Sequence, residues 1–269
     1  MAITVGQAVD MLKDFAPEDY GYKKEYDNIG LVLGDESAPV SLVLCCLDAT
    51  EAVLDEAIRT GAQLIIAHHP VIFRPIKQIN GSTVLGRKLL KAASHGIAIY
   101  AAHTNLDFVS GGINDYIAEL LGLHNVTVID PYIDAENGYG RVGDLGGSMY
   151  VSVLKGQVET VLKDPYVRTV GEPYALVKRV AVLNGGGGGD TGLIDAAIEA
   201  GADCLITGDV KHHVAVYAYE NELVLIEPQH FTMEYCYISR LVQMLKIEAK
   251  ARKADIVIEQ SKVEQNPRY

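Results

Sequence analysis

Four short apolar runs that end abruptly in histidine or a carboxylate constrain this chain more than any other feature. Buried strands of parallel sheets are apolar throughout, and ligands gather beyond the carboxyl ends of such strands. The runs and the polar residues that follow them occupy 64–70, 98–107, 204–213 and 223–234. We therefore expect imidazole and carboxyl groups from distant parts of the chain to meet in one crevice.

Strands and helices alternate along the sequence. Apolar continuity predicts strands at 41–47, 63–67 and 97–102, and helical spacing predicts helices at 51–60 and 84–94. This alternation is typical of α/β proteins. The order of strand, polar residue and helix recurs in the second half, up to a long helix predicted at 232–250, so the pattern predicts two related α/β halves.

The middle of the chain gives weaker signals. Residues 137–147 contain five glycines and are predicted to form a loop. A strand is predicted at 149–154, followed by a helix at 157–163. The glycine run at 185–189 offers N–H groups that can cradle a phosphate, but it lacks the Lys-Ser/Thr ending of a nucleotide loop. A permissive turn between strand and helix is the favoured interpretation.

Composition excludes several classes of protein. The 23 Lys and Arg residues against 35 Asp and Glu residues give a net charge of −12, which argues against a nucleic-acid surface. No apolar run approaches the roughly 20 residues of a membrane span, and the N-terminus lacks the features of a signal peptide. The four cysteines lie in separate segments and suit neither a disulfide framework nor a zinc clip. We predict a reduced, cytoplasmic protein without a membrane partner.

Imidazole nitrogen and carboxylate oxygen are the usual ligands of Zn, Fe, Mn, Co and Ni, and the sequence does not select among these ions. His68 and His69 are adjacent, so on an extended backbone their side chains should diverge. They can then bind two neighbouring ions, or one can bind while the other supports it. Pro70 biases His69 toward the extended conformation.

Two pairs of candidate ligands are spaced four residues apart. His103 precedes Asp107, and His230 precedes Glu234 at the start of the long predicted helix, where one turn brings such side chains together. A carboxylate can bridge two ions and a histidine cannot. Asp107 and Glu234 are therefore the candidates for bridging ligands in a centre of two divalent ions.

Other polar residues allow more than one interpretation. Arg74 and Lys77 follow the His-His-Pro segment and can meet an anionic substrate, but ordinary solvated charge explains them equally well. Asp209 and His213 can support the ligands or contact substrate, and a hydrogen-bonding role in the core is the alternative. Asp27 belongs to a turn before Gly30 and can line the site.

Five segments in chain order carry a family resemblance. They are Tyr-Asp-Asn-Ile-Gly-Leu at 26–31, Ala-His-His-Pro-Val-Ile-Phe at 67–73, Ala-His-Thr-Asn-Leu-Asp at 102–107, Thr-Gly-Asp-Val-Lys-His-His at 207–213, and the His-to-Glu segment at 230–234. Together they resemble the Nif-three-like proteins, also called GTP cyclohydrolase I type 2 homologues. Two departures stand out: Tyr26 replaces a Trp, and Gln229 replaces a Gly beside His230, which reduces backbone freedom there.

The resemblance implies an α/β fold of two intertwined, related halves with mixed sheets flanked by helices. The first half is predicted to comprise 1–126 plus 228–269, and the second 127–227. The resemblance also implies a toroidal homohexamer with two divalent ions in each subunit. The implied ligands are His68, His69, Asp107, His230 and Glu234, with His103 as a further candidate.

Two functions follow from this chemistry. The first is a metal-dependent hydrolase in which Asp107 and Glu234 bridge the ions and a metal-bound hydroxide attacks the substrate. Its substrate would be an anionic small molecule or a nucleotide, and the family name points to opening of the GTP purine ring. The second is a non-catalytic metal-binding scaffold, a metallochaperone or a regulatory ring.

Overall fold

The structure is a computed structural model that describes residues 3–22 and 25–268. These residues fall into two compact units. The first comprises the described residues up to Leu106 together with those from Ile238 onward, and the second comprises Asp107–Tyr237. The α/β class with mixed sheets flanked by helices is confirmed. The domain boundaries given above, near 126 and 228, stay a prediction.

Strands and helices alternate through most of both units. In chain order they are β1 (Ile3–Thr4), α1 (Val5–Lys13), β2 (Gly30–Leu33), β3 (Pro39–Val40), β4 (Leu42–Asp48), α2 (Glu51–Thr60), β5 (Leu64–His69), α3 (Val84–Ser94), β6 (Ala98–Ala101), α4 (Thr104–Phe108), α5 (Ile113–Leu120), β7 (His124–Asp130), β8 (Tyr139–Tyr150), α6 (Val151–Leu162), β9 (Arg168–Val170), β10 (Leu176–Leu183), α7 (Thr191–Glu199), β11 (Cys204–Thr207), α8 (His212–Glu220), β12 (Val224–Glu227), α9 (His230–Ala251) and β13 (Val257–Gln260). Short 3-10 helices lie at Glu18–Tyr20 and Gly187–Gly189.

The first unit is built on a five-stranded sheet in the order β13-β4-β5-β6-β2. Strands β13, β4, β5 and β6 run parallel, and β2 pairs antiparallel with β6. Apolar side chains of the sheet pack against α2 and α3, with Leu44, Ile65 and Ile99 in one buried cluster with Val53 and Ala92. Because β4, β5 and β6 are parallel, the polar residues at their carboxyl ends share one edge of the sheet.

The second unit contains a six-stranded sheet in the order β7-β8-β10-β11-β12-β9. Its centre is the parallel set β10, β11 and β12, in which Leu183 pairs with Thr207. The core lies between this sheet and the flanking helices, where Leu183, Leu205 and Leu225 pack with Ile194 of α7 and Val214 of α8. The residues that follow β10, β11 and β12 therefore lie at one edge of this sheet.

The predicted loop at 137–147 is wrong, because most of it belongs to strand β8. This strand pairs antiparallel with both β7 and β10. Its glycines permit the pairing: Gly140 has φ +70°, and a Cβ at Gly143 would lie 2.9 Å from the carbonyl oxygen of His124. Arg141 of β8 is buried and its Nε donates to Asp115 at 2.8 Å. The predicted strand at 149–154 is also wrong beyond Tyr150, where helix α6 begins.

Among the helices that the structure describes, none is long and apolar enough to cross a bilayer. The cytoplasmic location stays a prediction.

Candidate metal centre

Three histidines of the first unit converge. His68 and His69 end β5, and His103 follows β6. The ring centroids are 5.1 Å apart for His68 and His69, 5.2 Å for His68 and His103, and 5.7 Å for His69 and His103. One ring nitrogen of each lies within 4.8 Å of those of the other two. We call these residues the histidine group, and they are positioned to hold a metal ion.

Each ring of the histidine group is fixed through its Nδ1 atom. Nδ1 of His68 donates to the carbonyl oxygen of Ala102 at 2.8 Å, and because a carbonyl only accepts, this nitrogen carries the proton. The lone pair of neutral His68 is therefore on Nε2. Nδ1 of His69 lies 2.9 Å from Oδ1 of Asp48, and Nδ1 of His103 lies 2.7 Å from Oδ1 of Asp27. Such partners orient the metal-binding histidines of proteins.

The expectation that His68 and His69 diverge is wrong. Their rings lie close together, tilted by 48°, and their Nδ1 atoms are held by acceptors at the ends of two different strands. Ala102 follows β6, and its N–H donates to the carbonyl of Ala67. Asp48 is the last residue of β4, where it is aligned with His69.

Asp27 is buried beneath His103. Burial alone would raise the pKa of Asp27, but hydrogen bonds from His103, the Thr104 hydroxyl and the Asn28 N–H, together with the charge of His103, lower its pKa below the usual value. The Thr104 hydroxyl donates to Oδ2 at 2.5 Å, while His103 contacts Oδ1. The two oxygens of Asp27 thus fix both the ring of His103 and the residue that starts α4.

Asp48 was missed in the sequence analysis. Its signal was an acid directly after the apolar run at 41–47, but only the register of β4 with β5 places it beside His69. The end of β4 is held in turn by Glu264, whose carboxylate accepts from the N–H groups of Leu47 at 3.0 Å and Asp48 at 2.8 Å. Burial raises the pKa of Glu264 to about 7, although these two hydrogen bonds favour its ionised form.

The second unit holds the other predicted ligands. His230 begins α9, and its Nε2 lies 3.0 Å from Oε2 of Glu234, as the spacing of four residues predicts. Nδ1 of His230 lies 2.8 Å from Oδ2 of Asp209. Glu234 and Asp107 are both buried. We call Asp107, His230 and Glu234 the Asp-His-Glu group.

Asp209 is placed by an unusual backbone conformation. Its φ is +53°, in the left-handed region that Asp tolerates better than most residues. The preceding strand β11 ends at Thr207, so Asp209 extends beyond the carboxyl edge of the sheet and reaches His230. The structure thus places the Asp209 carboxylate beside a predicted ligand, and its role as support, substrate contact or core hydrogen-bonding group stays a prediction.

Asn184 was also missed. It follows β10 directly, and its Nδ2 donates to Oδ1 of Asp107 at 2.8 Å. The neighbouring glycine run is predicted from the sequence only as a possible phosphate loop or a turn. No local pattern signals this contact, because the two residues are 77 positions apart.

The predicted substrate residues lie on the surface. Arg74 and Lys77 are exposed in the segment between β5 and α3, and His213 is exposed in the first turn of α8. The ring of Phe73, beside Arg74, lies edge-on to His103 with centroids 6.0 Å apart, so this segment passes next to the histidine group. The roles of Arg74, Lys77 and His213 in substrate binding stay predictions.

The residues of both groups fit divalent metal ions. Imidazole nitrogens and carboxylate oxygens are the donors that such ions use. The histidine group gathers three ring nitrogens within 4.8 Å of one another, a spacing at which they can hold one metal ion. The supporting oxygens of Ala102, Asp48 and Asp27 hold the rings in this arrangement.

Known proteins are similar to this chain in sequence and in fold. Residues 3–267 match the family described as Duf34/NIF3 (NGG1p interacting factor 3). The GTP cyclohydrolase 1 type 2 homolog of Clostridium acetobutylicum is 34% identical over 258 residues, covering 95% of this chain and 94% of that protein. The hypothetical protein SA1388 of Staphylococcus aureus superposes with a TM-score of 0.92 at 28% identity, covering 100% of this chain and 99% of the other. A Bacillus cereus protein related to NIF3 gives 0.91 at 26% identity, covering 99% and 98%. The resemblance read from the motifs is confirmed, and the chain belongs to the Duf34/NIF3 family.

Proposed function

We propose that this protein is a metal-dependent hydrolase in which the histidine group and the Asp-His-Glu group serve one centre of two divalent ions. The proposed ligands are His68, His69, His103, Asp107, His230 and Glu234. One observation carries the proposal: each of the four proposed histidine ligands has Nδ1 hydrogen-bonded to an oxygen of the protein, which leaves Nε2 as the atom that can bind a metal ion.

The assignment of both groups to one centre rests on the chain itself. His103 and Asp107 are four residues apart, and a helical turn of that length rises only about 6 Å. Ions of a dinuclear centre lie about 3.5–4 Å apart, so ligands at this spacing can serve the same pair. The family motifs that include Asp107, His230 and Glu234 support the same assignment.

The chemistry follows from the charges. Divalent ions at this position would lower the pKa of water toward about 7 and polarise an oxygen of the substrate. Asp107 and Glu234 would supply the negative charge that a pair of cations needs, while Asp27, Asp48 and Asp209 keep the rings oriented. An anionic small molecule or a nucleotide is the proposed substrate class. GTP is included because relatives are named GTP cyclohydrolase 1 type 2 homologs.

The test begins with elemental analysis of protein purified without an affinity tag, which should give two divalent ions per chain. The loaded protein is then assayed against GTP and generic phosphoesters. Asp107→Ala should abolish turnover, and the exposed control Glu199→Ala should leave it unchanged. Turnover that survives Asp107→Ala overturns the hydrolase. Two bound ions without turnover of any substrate would favour the metal-binding scaffold, metallochaperone or regulatory ring.

We also propose that the protein assembles as the toroidal homohexamer that the family resemblance implies. Light scattering should then give six times the 29.1 kDa of one chain. A mass near that of a single chain contradicts the assembly without bearing on the metal ligands.

A further inference from the structure

The glycine run that follows β10 has no role in the function proposed so far. It turns the chain from β10 into the 3-10 helix Gly187–Gly189 and then into α7. Two of its N–H groups are used within the protein: Gly188 donates to the carbonyl of Gly208 at 3.0 Å and Gly189 to that of Gly186 at 3.1 Å. These bonds do not favour a phosphate cradle, so the start of the run must be explained in another way.

Asn184, directly before the run, is built into the surroundings of Asp107. Its Nδ2 donates to Oδ1 of Asp107 at 2.8 Å, and its backbone N–H donates to Oδ1 of Asn114, also at 2.8 Å. Nδ2 of Asn114 donates to the carbonyl of Asp107 at 3.0 Å. Asn184 is only 2% exposed and Asn114 is fully buried. Three hydrogen bonds therefore close a ring that fixes Asp107 by its backbone and by its carboxylate.

Gly185, the first residue of the run, lies directly against the carboxylate of Glu234. Its φ of +65° is one that residues with a Cβ rarely adopt. A Cβ at this position would also lie closer than 3.0 Å to Oε1 of Glu234 and 3.5 Å from Nε2 of His230. The backbone conformation thus favours glycine, and a Cβ at this position would force the Glu234 carboxylate to shift.

We propose that the Asn184–Gly185 turn positions the two carboxylates of the metal centre, Asp107 and Glu234. Asn184 is a positioning residue because its amide donates to the carboxylate of Asp107 and sets the rotation of that group. Gly185 is a positioning residue because its missing side chain leaves room for Glu234. The inference rests on the proposed metal centre, and it gives the start of the glycine run a role that is distinct from nucleotide binding.

Substitutions at adjacent positions separate this role from ordinary turn chemistry. Gly185→Ala should displace Glu234, whereas Gly186→Ala is a matched control because a Cβ there meets nothing within 4 Å and its φ is −85°. Asn184→Leu keeps the branching and the number of non-hydrogen atoms of the side chain and removes the donor to Asp107. Support of this kind contributes about 10- to 100-fold to metal affinity in known sites.

The experiment measures Mn²⁺ and Zn²⁺ affinity of the full chain by competition titration, with thermal unfolding of the metal-free protein alongside. Gly185→Ala and Asn184→Leu should each bind at least about tenfold more weakly, and Gly186→Ala should stay within about twofold of the unsubstituted protein. Ile194→Ala, in the core of the same unit, is the control for lost stability. The proposal is overturned if both variants bind normally, or if Ile194→Ala at equal loss of thermal stability weakens binding as much.

A measurement without metal keeps the inference separate from the proposed function. Crystal structures of the metal-free protein should show the Asp107 carboxylate rotated in Asn184→Leu and Glu234 displaced in Gly185→Ala. Unchanged carboxylates in both variants overturn the positioning role. If the unsubstituted protein binds neither ion, the metal centre fails as a proposal, and these structures still decide whether the turn positions Asp107 and Glu234.

Discussion

The histidine ligands and the carboxylate ligand Asp107 are supported by opposite chemistry. In the first unit, acceptors hold basic rings: Asp27 holds His103 and Asp48 holds His69. In the second unit a donor holds an acidic ligand, since the Asn184 amide donates to Asp107. His230 belongs to the second unit and is nevertheless held by an acceptor, Asp209. The kind of support therefore follows the chemistry of the ligand and not the unit in which it lies.

If aspartate acceptors hold the histidine rings in place, removing one should weaken metal binding more strongly the more deeply that aspartate is buried. The largest effect is expected for Asp27, whose side chain is 2% exposed. Asp27→Asn replaces one acceptor with a donor beside His103 and Thr104, so metal affinity should fall about 100-fold and the free energy of unfolding by about 1–3 kcal/mol. Competition titration and urea unfolding measure both. Asp35→Asn, the same change at an exposed turn, is the control, and equal losses at positions 27 and 35 would break the rule.

Asp209 should give the next effect, because its side chain is 36% exposed. Asp209→Ala and Asp209→Gly both remove the acceptor of His230, so both should weaken metal binding by about tenfold. They should differ in stability, with the Gly variant about 1 kcal/mol more stable, because a φ of +53° strains alanine and not glycine. Thermal unfolding of the two variants makes the comparison. Equal stability would show that the left-handed backbone relaxes once the carboxylate is removed.

Asp48 should give a smaller loss, since water can replace much of its contact with His69. Its side chain is 46% exposed, the largest value among the three aspartates. Asp48→Asn should weaken metal binding by less than about tenfold. The same titration measures it, and a loss larger than that of Asp27→Asn would reverse the ranking by burial.

Glu264, which holds the end of β4 beside Asp48, is tested through the pH dependence of stability and has the smallest expected effect. Burial raises its pKa to about 7 from 4.5, so the folded protein binds more protons than the unfolded chain between these values. Stability contributed by this group is therefore lost as the pH rises from about 4.5 through 7. Glu264→Gln should remove this slope, so the variant should gain about 1 kcal/mol relative to the unsubstituted protein between pH 5 and pH 8. Denaturant unfolding of the metal-free chains at several pH values tests it, and parallel curves would contradict it.

Sequence alone predicted the local parts of this molecule well. The helices at Glu51–Thr60 and Val84–Ser94 have the predicted bounds, because Thr50 and Thr83 cap them and their apolar spacing is regular. The contact of His230 with Glu234 follows from one helical turn. Such features depend on neighbours a few residues away, which a sequence displays directly.

The rest depended on register between distant segments. Asp48 lies 21 residues from His69, Asn184 lies 77 from Asp107, and Glu264 lies 216 from Asp48. The error at 137–147 has the same origin, since glycines that usually indicate a loop here let β8 pair closely with its neighbours. Candidate ligands could be proposed because they belong to histidine-containing motifs, whereas Asp48, Asn184 and Glu264 belong to none of those motifs and could not be singled out.

Because the backbone at position 209 is left-handed, the residue type at that position indicates whether the neighbouring histidine is supported. Asp alone combines tolerance of this conformation with a charged acceptor, Asn keeps the tolerance with a neutral acceptor, and Gly keeps only the tolerance. A relative with Gly at the equivalent position would fold without a group to hold the ring of its His230 counterpart. The residue at this position can therefore sort family members by whether the ring of that histidine is still held in its orientation.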